Sequence, residues 1–197
     1  MTASEAPAEP ANRVHEILRA ACRVVVQEGA HALRVGNVAQ EAGVSRTLVH
    51  YYFTTRQELM RAAFAFSEDR RVEALEAELE GLATGEERAT LALRRTLDPE
   101  VEETAALWNE VWSGLRDDED LRPLVQARYR AWAERIVQLL DEGRSDGSVP
   151  AWVDPEAAGW RLAAVADGLD SIRFLGLLDV DGALELLGSA IDKELGR

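Results

Sequence analysis

Cysteine is nearly absent from this sequence, since Cys22 is the only one among 197 residues. A single thiol excludes an internal disulfide, and its rarity fits a reducing compartment. We expect Cys22 to be a small buried side chain, with a redox-sensing thiol as the alternative. No apolar run approaches the roughly 18 residues that a membrane-spanning helix needs, so we expect no membrane partner.

The chain also begins without the apolar stretch that marks a signal peptide. Its first residues, MTASEAPAEPAN, are polar throughout. We interpret residues 1–11 as a disordered tail. Together with the lack of a membrane span, this predicts a cytoplasmic protein.

The motifs that usually mark an enzyme are missing too. The sequence contains no G-x-S-x-G, H-E-x-x-H, glycine-rich phosphate loop or C-x-x-C. Its three histidines are His15, His31 and His50. An enzyme is the alternative from another class, but we predict no catalytic residue, no cofactor and no metal site. The acidic run at 117–120 is interpreted as the solvated start of a helix rather than a metal site.

A net positive charge is absent outside the N-terminal third, where 15 basic residues face 30 acidic ones over residues 67–197. The formal net charge of the chain is −14, but residues 12–66 carry +3 and residues 67–197 carry −15. A mildly basic head on an acidic body suits an approach to nucleic-acid phosphates. Local fluctuations of this size also occur in acidic proteins without such a partner.

Helical patterns occupy nearly the whole chain, and no strand-like alternation extends over more than a few residues. Gly, Pro and Asp mark the turns, and the segment GRSDGSVP at 143–150 is predicted as a loop. We predict an all-α fold of about nine helices. They are expected from Asn12 to Gly29, over 34–42 and 45–52, from Thr55 to about 82, from Thr84, from Asp98-Pro99, over about 118–143, from Asp154-Pro155 to about 175, and from Asp181 or Gly182 onward.

Residues 34–59, RVGNVAQEAGVSRTLVHYYFTTRQEL, are the most informative segment. A periodic helix runs into Gly43, and a second short helical pattern follows Ser45. Two short helices joined by a tight turn that contains glycine are typical of a helix-turn-helix. We expect Gly43 to supply the turn conformation, Val44 to pack between the helices and Ser45 to cap the second helix, whose first residues would face outward.

The last two predicted helices are apolar over a wide arc, from Ala163 to Leu175 and from Leu184 to Ile191. Burial inside the monomer is one interpretation. We prefer a twofold interface between two copies, because a helix-turn-helix that reads two half-sites needs a dimer.

The tryptophans raise the question of a ligand. Trp108 and Trp112 are four residues apart and therefore share a helical face, and Trp160 follows the predicted loop. One interpretation is core filling. The other is a small-molecule pocket, in which tryptophans and carboxylates suit a cation through cation–π contact. The candidate ligand-binding residues are Trp108, Asn109, Trp112, Trp132, Asp167, Asp170 and Phe174.

Residues 17–59 resemble the tetracycline-repressor (TetR) family of transcriptional regulators. The matching residues are Ile17-Leu18-x-Ala20-Ala21, Glu28-Gly29, Val38-Ala39-x-x-Ala42-Gly43-Val44-Ser45, Tyr51-Tyr52-Phe53, Arg56 and Glu58-Leu59. The segments around Trp108 to Trp112 and at 167–169 (DGL) are similar to the betaine-type regulator subgroup.

The resemblance implies a DNA-binding domain at 12–60 and a ligand-binding and dimerisation domain at 61–197. It further implies a homodimer through the last two helices, a double-stranded DNA operator, and release by a small-molecule effector of unknown identity. We expect the effector to shift the linking helix at about 56–82 and so change the separation of the recognition helices. A helical dimeric sensor that has lost DNA binding is the alternative.

Residue roles also follow from the resemblance. Base-edge contacts are implied for residues on the outer face of the recognition helix, and phosphate contacts for the aromatic and basic residues after them. Val44 and Phe53 match packing positions. The implied DNA-binding residues are Arg34, Asn37, Ser45, Arg46, Thr47, Leu48, His50, Tyr51, Tyr52 and Arg56.

The chain departs from the family pattern at four positions. Arg34 replaces a small hydroxyl residue that usually caps the second helix, and Gly36 stands where the family often has a charged DNA reader. Thr47 replaces a common Gly or Ala, and His50 replaces a common Tyr. Operator specificity is therefore not transferable from a relative.

Overall fold

The computed structural model describes residues 10–98, 102–116 and 118–197, and within these ranges every regular element is a helix. None of these helices is long and apolar enough to cross a membrane. The predicted all-α fold class is confirmed. The nine described α-helices are α1 (Pro10–Glu28), α2 (Val35–Ala42), α3 (Arg46–Tyr52), α4 (Arg56–Leu79), α5 (Gly85–Arg94), α6 (Glu102–Gly114), α7 (Leu121–Asp146), α8 (Pro155–Phe174) and α9 (Val180–Leu195).

The chain forms two compact units, each with its own apolar core. The first unit comprises the chain up to Arg71 together with Glu102–Val125, and the second comprises Val72–Val101 and Gln126–Arg197. Helices α4 and α7 contribute residues to both units. The predicted division at residues 11 and 60 follows function and stays a prediction. Residues 1–9 of the predicted tail lie outside the described residues.

In the first unit, helices α2 and α6 both pack against α1. The face of α1 that carries Ile17, Ala20, Ala21 and Val24 is buried, and the spacing of three and four residues makes it a continuous stripe. Cys22 on the same helix is fully buried, and its Sγ lies 3.6 Å from the backbone carbonyl oxygen of Ala63. The expectation that Cys22 is a buried side chain is confirmed.

Local capping signals predicted several helix starts correctly. The hydroxyl of Thr84 accepts a hydrogen bond from the Glu87 amide, and the Glu87 carboxylate accepts one from the Thr84 amide, which completes a capping box at α5. Asp154 caps α8, with Pro155 as its first residue. The predicted start at Asp98-Pro99 cannot be compared, because residues 99–101 lie outside the described residues.

Other predicted boundaries are wrong. Helix α9 begins at Val180, because the side chain of Asp179, rather than Asp181, accepts a hydrogen bond from the Gly182 amide at 2.8 Å. Helix α7 continues to Asp146, so the loop predicted from residue 143 begins only at Gly147, whose φ is +85°. Helix α1 begins at Pro10, before the expected cap at Asn12.

Residues 118–120 of the acidic run precede a helix rather than forming its first turn. Helix α7 begins at Leu121, and Asp117 lies outside the described residues. The Asp118 side chain is only 10% exposed and forms an ion pair with Arg61 at 2.6 Å. Asp118 is therefore a buried partner of an arginine on α4, which corrects the expectation of a solvated carboxylate at this position.

In the second unit, small residues let α7 and α8 approach closely. A Cβ atom on Gly159 of α8 would lie 2.5 Å from the Val137 Cγ2 atom and 3.1 Å from the Val137 backbone nitrogen. The two helices therefore touch through main chain at this level. Side chains further along them face one another, and an aromatic cluster forms there.

Candidate functional site

The turn between α2 and α3 consists of residues 43–45. Gly43 ends α2 with φ +67°, the left-handed conformation that glycine adopts without steric cost. The Val44 amide donates back to the Ala39 carbonyl at 2.9 Å, and the Val44 side chain packs against the core of the unit. The turn predicted from the sequence is therefore formed by the residues expected to form it.

Ser45 caps α3. Its backbone is extended, and its Oγ accepts a hydrogen bond from the Leu48 amide at 3.2 Å. Val49 is buried, and Leu48 and Tyr52 pack in part against the same core. The remaining side chains of α3 face solvent: Arg46, Thr47, His50 and Tyr51 are exposed, Tyr51 by 79%. One side of helix α3 is thus packed against the core, and the other side faces solvent.

The arginines of the first unit fall into two groups. Arg23 pairs with Glu41, and Arg61 pairs with Asp118. Arg34 and Arg46 are exposed, and neither forms an ion pair or a hydrogen bond with any described residue. Arg34, before α2, and Arg46, the first residue of α3, therefore carry uncompensated positive charge at the two helices, where an anionic partner would meet it.

Two of the predicted DNA-contact residues also form hydrogen bonds within the first unit. The Asn37 side-chain nitrogen donates to the Ala32 carbonyl at 2.9 Å, and an Arg56 nitrogen donates to the Ala30 carbonyl at 2.6 Å. Both side chains therefore hold the short turn between α1 and α2 against the motif. Arg56 is exposed and has further donors free, because a guanidinium carries five N–H groups. The DNA-contact roles of all ten residues stay predictions.

An aromatic cluster lies between α7 and α8 in the second unit. The Tyr129 ring centroid is 5.5 Å from that of Trp132 and 6.4 Å from that of Trp160. All three rings are half-buried. Trp132 was among the predicted ligand residues, whereas Tyr129 was not. The spacing of Tyr129 and Trp132, three residues apart on one helix, is the sequence signal that could have found it.

A carboxylate adjoins this cluster. The side chain of Asp167 is open to solvent on one side, and desolvation by its neighbours raises the pKa of its carboxyl group. The negative charge of Asp170 also raises that pKa, while a hydrogen bond with Tyr129 lowers it. Burial, followed by the Asp167 charge and hydrogen bond, raises the pKa of the Tyr129 hydroxyl. Three rings and one partly desolvated carboxylate form a surface suited to an organic cation.

The other predicted ligand residues make different contacts, each within its own unit. Trp108, Asn109 and Trp112 belong to the first unit, where Trp108 stacks edge-on against Phe64 and donates to the buried Glu68 carboxylate at 2.9 Å. Trp112 and Asn109 are exposed. In the second unit, Asp170 accepts from Arg173, and Phe174 at the end of α8 is 68% exposed. Their ligand roles stay predictions.

Comparison with known proteins identifies this combination of motifs. Residues 17–63 match the model of the bacterial regulatory proteins of the tetR family, and residues 85–196 match that of the BetI-type transcriptional repressor, C-terminal. The chain belongs to the TetR family. Its C-terminal part is of the BetI type, so the predicted membership and subgroup are confirmed. Because the family consists of transcriptional regulators, the prediction that the chain is not an enzyme is confirmed as well.

Curated relatives of this TetR-family regulator are 27–29% identical to it over the aligned residues. The HTH-type transcriptional regulator BetI of Brucella anthropi is 29% identical over 136 residues, which cover 68% of this chain and 70% of that protein. The BetI of Rhizobium meliloti is 29% identical over 163 residues, covering 82% and 77%.

Solved structures show the same fold. A TetR-family regulator from Rhodococcus sp. superposes with a TM-score of 0.77 at 29% identity, covering 93% of this chain and 99% of that one. A transcriptional regulator from Saccharomonospora viridis in complex with choline gives a TM-score of 0.81 at 24% identity, covering 92% and 96%. At that identity the second comparison shows the fold alone.

Proposed function

We propose that this TetR-family regulator is a cytoplasmic, ligand-responsive repressor. It binds a near-palindromic operator as a homodimer and leaves it when a small-molecule effector binds. The observation that carries the proposal is the solvent-facing row of α3, in which Arg46, Thr47, His50 and Tyr51 are exposed while Val49 anchors the helix. A helix presented in this way fits the major groove.

Within that surface we assign different tasks to different side chains. Arg46, Thr47, Leu48 and His50 face base edges, and Arg46 has a donor fork free for guanine. Tyr51, Tyr52, Arg34 and Arg56 hold phosphates, since hydroxyl and guanidinium groups donate to phosphate oxygens. Ser45 caps α3, and Asn37 holds the turn before α2, so both support the helices that carry these side chains. Phosphate contacts fix the register of the protein, and base contacts select the sequence.

The dimer is supported by an apolar row on α8 without a partner in the described chain. Val165, Gly168, Ile172 and Leu175 are all exposed and follow one another at intervals of three and four residues. Apart from its chain neighbours and the nearby backbone of α8 itself, no described atom lies within 4 Å of the position that a Cβ on Gly168 would take. This spacing is typical of a helix that packs along a second helix. We assign the row, together with α9, to a twofold interface.

The effector we propose is a quaternary ammonium cation bound at the Tyr129, Trp132, Trp160 and Asp167 cluster. Aromatic faces attract such cations, and a partly desolvated carboxylate balances their charge. The choline bound by the Saccharomonospora viridis regulator and the BetI type of the C-terminal part support this choice.

Release from DNA requires that the effector bind the DNA-incompetent state more tightly than the competent one, because equal affinity would shift nothing. Helix α4 is continuous from the first unit into the second and offers a covalent route for the change. Half-sites one turn apart require recognition helices about 34–36 Å apart, so a small displacement uncouples them.

The test begins with DNA. Random duplexes selected by the purified protein should yield an enriched near-palindromic sequence, and choline should weaken binding to it in a fluorescence anisotropy titration. Failure to enrich any sequence would favour a sensor that does not bind DNA. Equal choline affinity with and without the selected duplex would exclude effector-driven release.

The oligomeric state is measured separately by sedimentation. Ile172→Asp should shift the dimer toward monomer, because it places a charge in the proposed interface. Val72→Asp is the matched control, since Val72 is similarly exposed but lies on α4. A dimer that tolerates Ile172→Asp would refute this interface.

A further inference from the structure

Gly36, the second residue of α2, is a glycine that the backbone does not require. The described glycines with positive φ are Gly29, Gly43, Gly147, Gly176 and Gly196. Gly36 lies in regular helix, where glycine is less favourable than alanine. Its presence in the helix-turn-helix therefore calls for a reason outside the backbone.

The guanidinium group of Arg46 lies over Gly36. Its Cζ, Nε and Nη2 atoms are each 3.4 Å from the position that a Cβ atom on Gly36 would occupy. Three planar atoms at one distance from a point mean that the group turns its flat face toward α2. Arg46 thus occupies the volume that a longer side chain at position 36 would fill.

Arg46 lies over Gly36 without a polar partner among the described residues. It has no ion pair or hydrogen bond with a described residue, so no carboxylate or carbonyl competes for its donors. The N–H groups at the edge of the guanidinium therefore remain available to an acceptor outside the chain. Contact with α2 restricts the rotamers of a long side chain, and a side chain restricted before binding loses less entropy on binding.

We infer that Gly36 is a specificity-determining residue that acts through Arg46, by leaving the space in which the guanidinium is positioned for the operator. The inference rests on the proposed function and deepens it. In this chain residue 36 has no side chain, and Arg46 of α3 occupies the space above it.

The size of the side chain at position 36 separates this role from an effect on the helix. A separation of 3.4 Å is ordinary van der Waals contact, so Gly36→Ala adds helix propensity without moving Arg46. Gly36→Leu adds a similar gain in helix propensity, but the leucine side chain is large enough to displace the Arg46 guanidinium. Gln40→Leu, which places leucine at an exposed position of the same helix, is the matched control.

The experiment measures base preference. The unmodified protein selects a duplex from a random pool, and each variant is then titrated against that duplex and its single-base-pair variants. Arg46→Ala and Gly36→Leu should each lower the affinity about tenfold and lose preference at the same base pair. Gly36→Ala and Gln40→Leu should stay within about twofold. In the Arg46→Ala background, Gly36→Leu should cost nothing further.

Several outcomes would overturn the inference. Gly36→Leu could keep the original base preference, or it could weaken binding equally with and without Arg46, which would mean that the new side chain meets DNA itself. Thermal unfolding of each variant checks the fold, and Gly36→Gln carries the same test if the leucine variant does not fold. If the unmodified protein enriches no sequence, the proposed function falls and this inference with it. If the unmodified protein enriches a sequence but Gly36→Leu keeps the same base preference, the inference is wrong and the proposed function still stands.

Discussion

Gly85 at the start of α5 and Gly143 in α7 are in direct backbone contact. A Cβ atom on Gly85 would lie 2.1 Å from the Gly143 amide nitrogen and 2.5 Å from the Leu139 carbonyl oxygen. The free amides of the first turn of α5 use the same junction, since Gly85 donates to the Asp146 carboxylate at 2.8 Å and Glu86 donates to the Ser148 hydroxyl at 3.2 Å. Both glycines belong to the second unit, and their contact fixes how close α5 and α7 can be at this point.

Gly85→Ala should destabilise the protein by about 3 kcal/mol, because a methyl group would push the backbones of α5 and α7 apart and overpack the junction. The measurement is the free energy of unfolding in urea. Gly81→Ala is the control, because its nearest neighbour is the Glu78 carbonyl oxygen at 3.6 Å and it should change little. Equal stability of the two variants would show that the junction relaxes freely.

Replacing either unpaired arginine of the helix-turn-helix should weaken operator binding in a distinct way. Arg34→Ala should weaken binding to every sequence alike and reduce the salt dependence by about one phosphate contact. Arg46→Ala should cost about 1–3 kcal/mol on the selected operator and relax preference at one base pair. Anisotropy titrations at several salt concentrations distinguish these effects.

The control for both arginine variants is Arg130→Ala, which removes the same charge from an exposed position of α7 in the second unit. If this variant weakened DNA binding as much as Arg34→Ala, the effect would come from net charge, and the assignment of a local phosphate contact would be lost.

Asp167→Asn should stabilise the unliganded protein at neutral pH. Desolvation raises the pKa of the Asp167 carboxyl in the folded state, so the charged form costs stability above that pKa. As the pH falls through the raised pKa the cost disappears, and below the ordinary carboxyl pKa of about 3.9 the two proteins should be equally stable. Thermal unfolding between pH 3.5 and about pH 7 follows the difference. A difference that grows on acidification would contradict this sign.

Choline should bind more tightly than 3,3-dimethylbutanol, its uncharged counterpart of the same shape, because the aromatic cluster and Asp167 recognise positive charge. Trp160→Ala should lose about 1–2 kcal/mol of choline affinity and little for the alcohol. Calorimetry measures both ligands. Trp152→Ala serves as the control, since Trp152 is 66% exposed and packs on the backbone of Gly196. Equal affinity for the two ligands would exclude a cation site.

The helix-turn-helix was predictable because its determinants are local. Gly43 adopts the left-handed conformation, and Ser45 caps the helix with its own side chain. Each of these effects is decided within four residues, so the sequence pattern contains the whole argument. The prediction of where α9 begins was wrong for a related reason. Asp179 and Asp181 can both cap a helix, and only the observed hydrogen bond from the Gly182 amide to Asp179 distinguishes them.

Contacts between distant segments were not predictable in this way. Asp118 looked like a solvated acid because nothing nearby in sequence pairs with it, and its partner Arg61 lies on another helix. Tyr129 was overlooked because its significance depends on Asp167 and Trp160, which α8 brings to it. Hydrophobic periodicity and helix caps were sufficient to predict the fold class. The partners of individual side chains depend on how whole helices pack, which the sequence does not show.

The burial of Cys22 makes the protein well suited to site-directed spectroscopy. Its only thiol is shielded inside the first unit, so a cysteine introduced at exposed Thr47 would be the single reactive position for a nitroxide label. In a homodimer such a label occurs as a symmetric pair, one on each recognition helix. Dipolar spectroscopy on that pair would read the distance between the two helices directly, with and without effector.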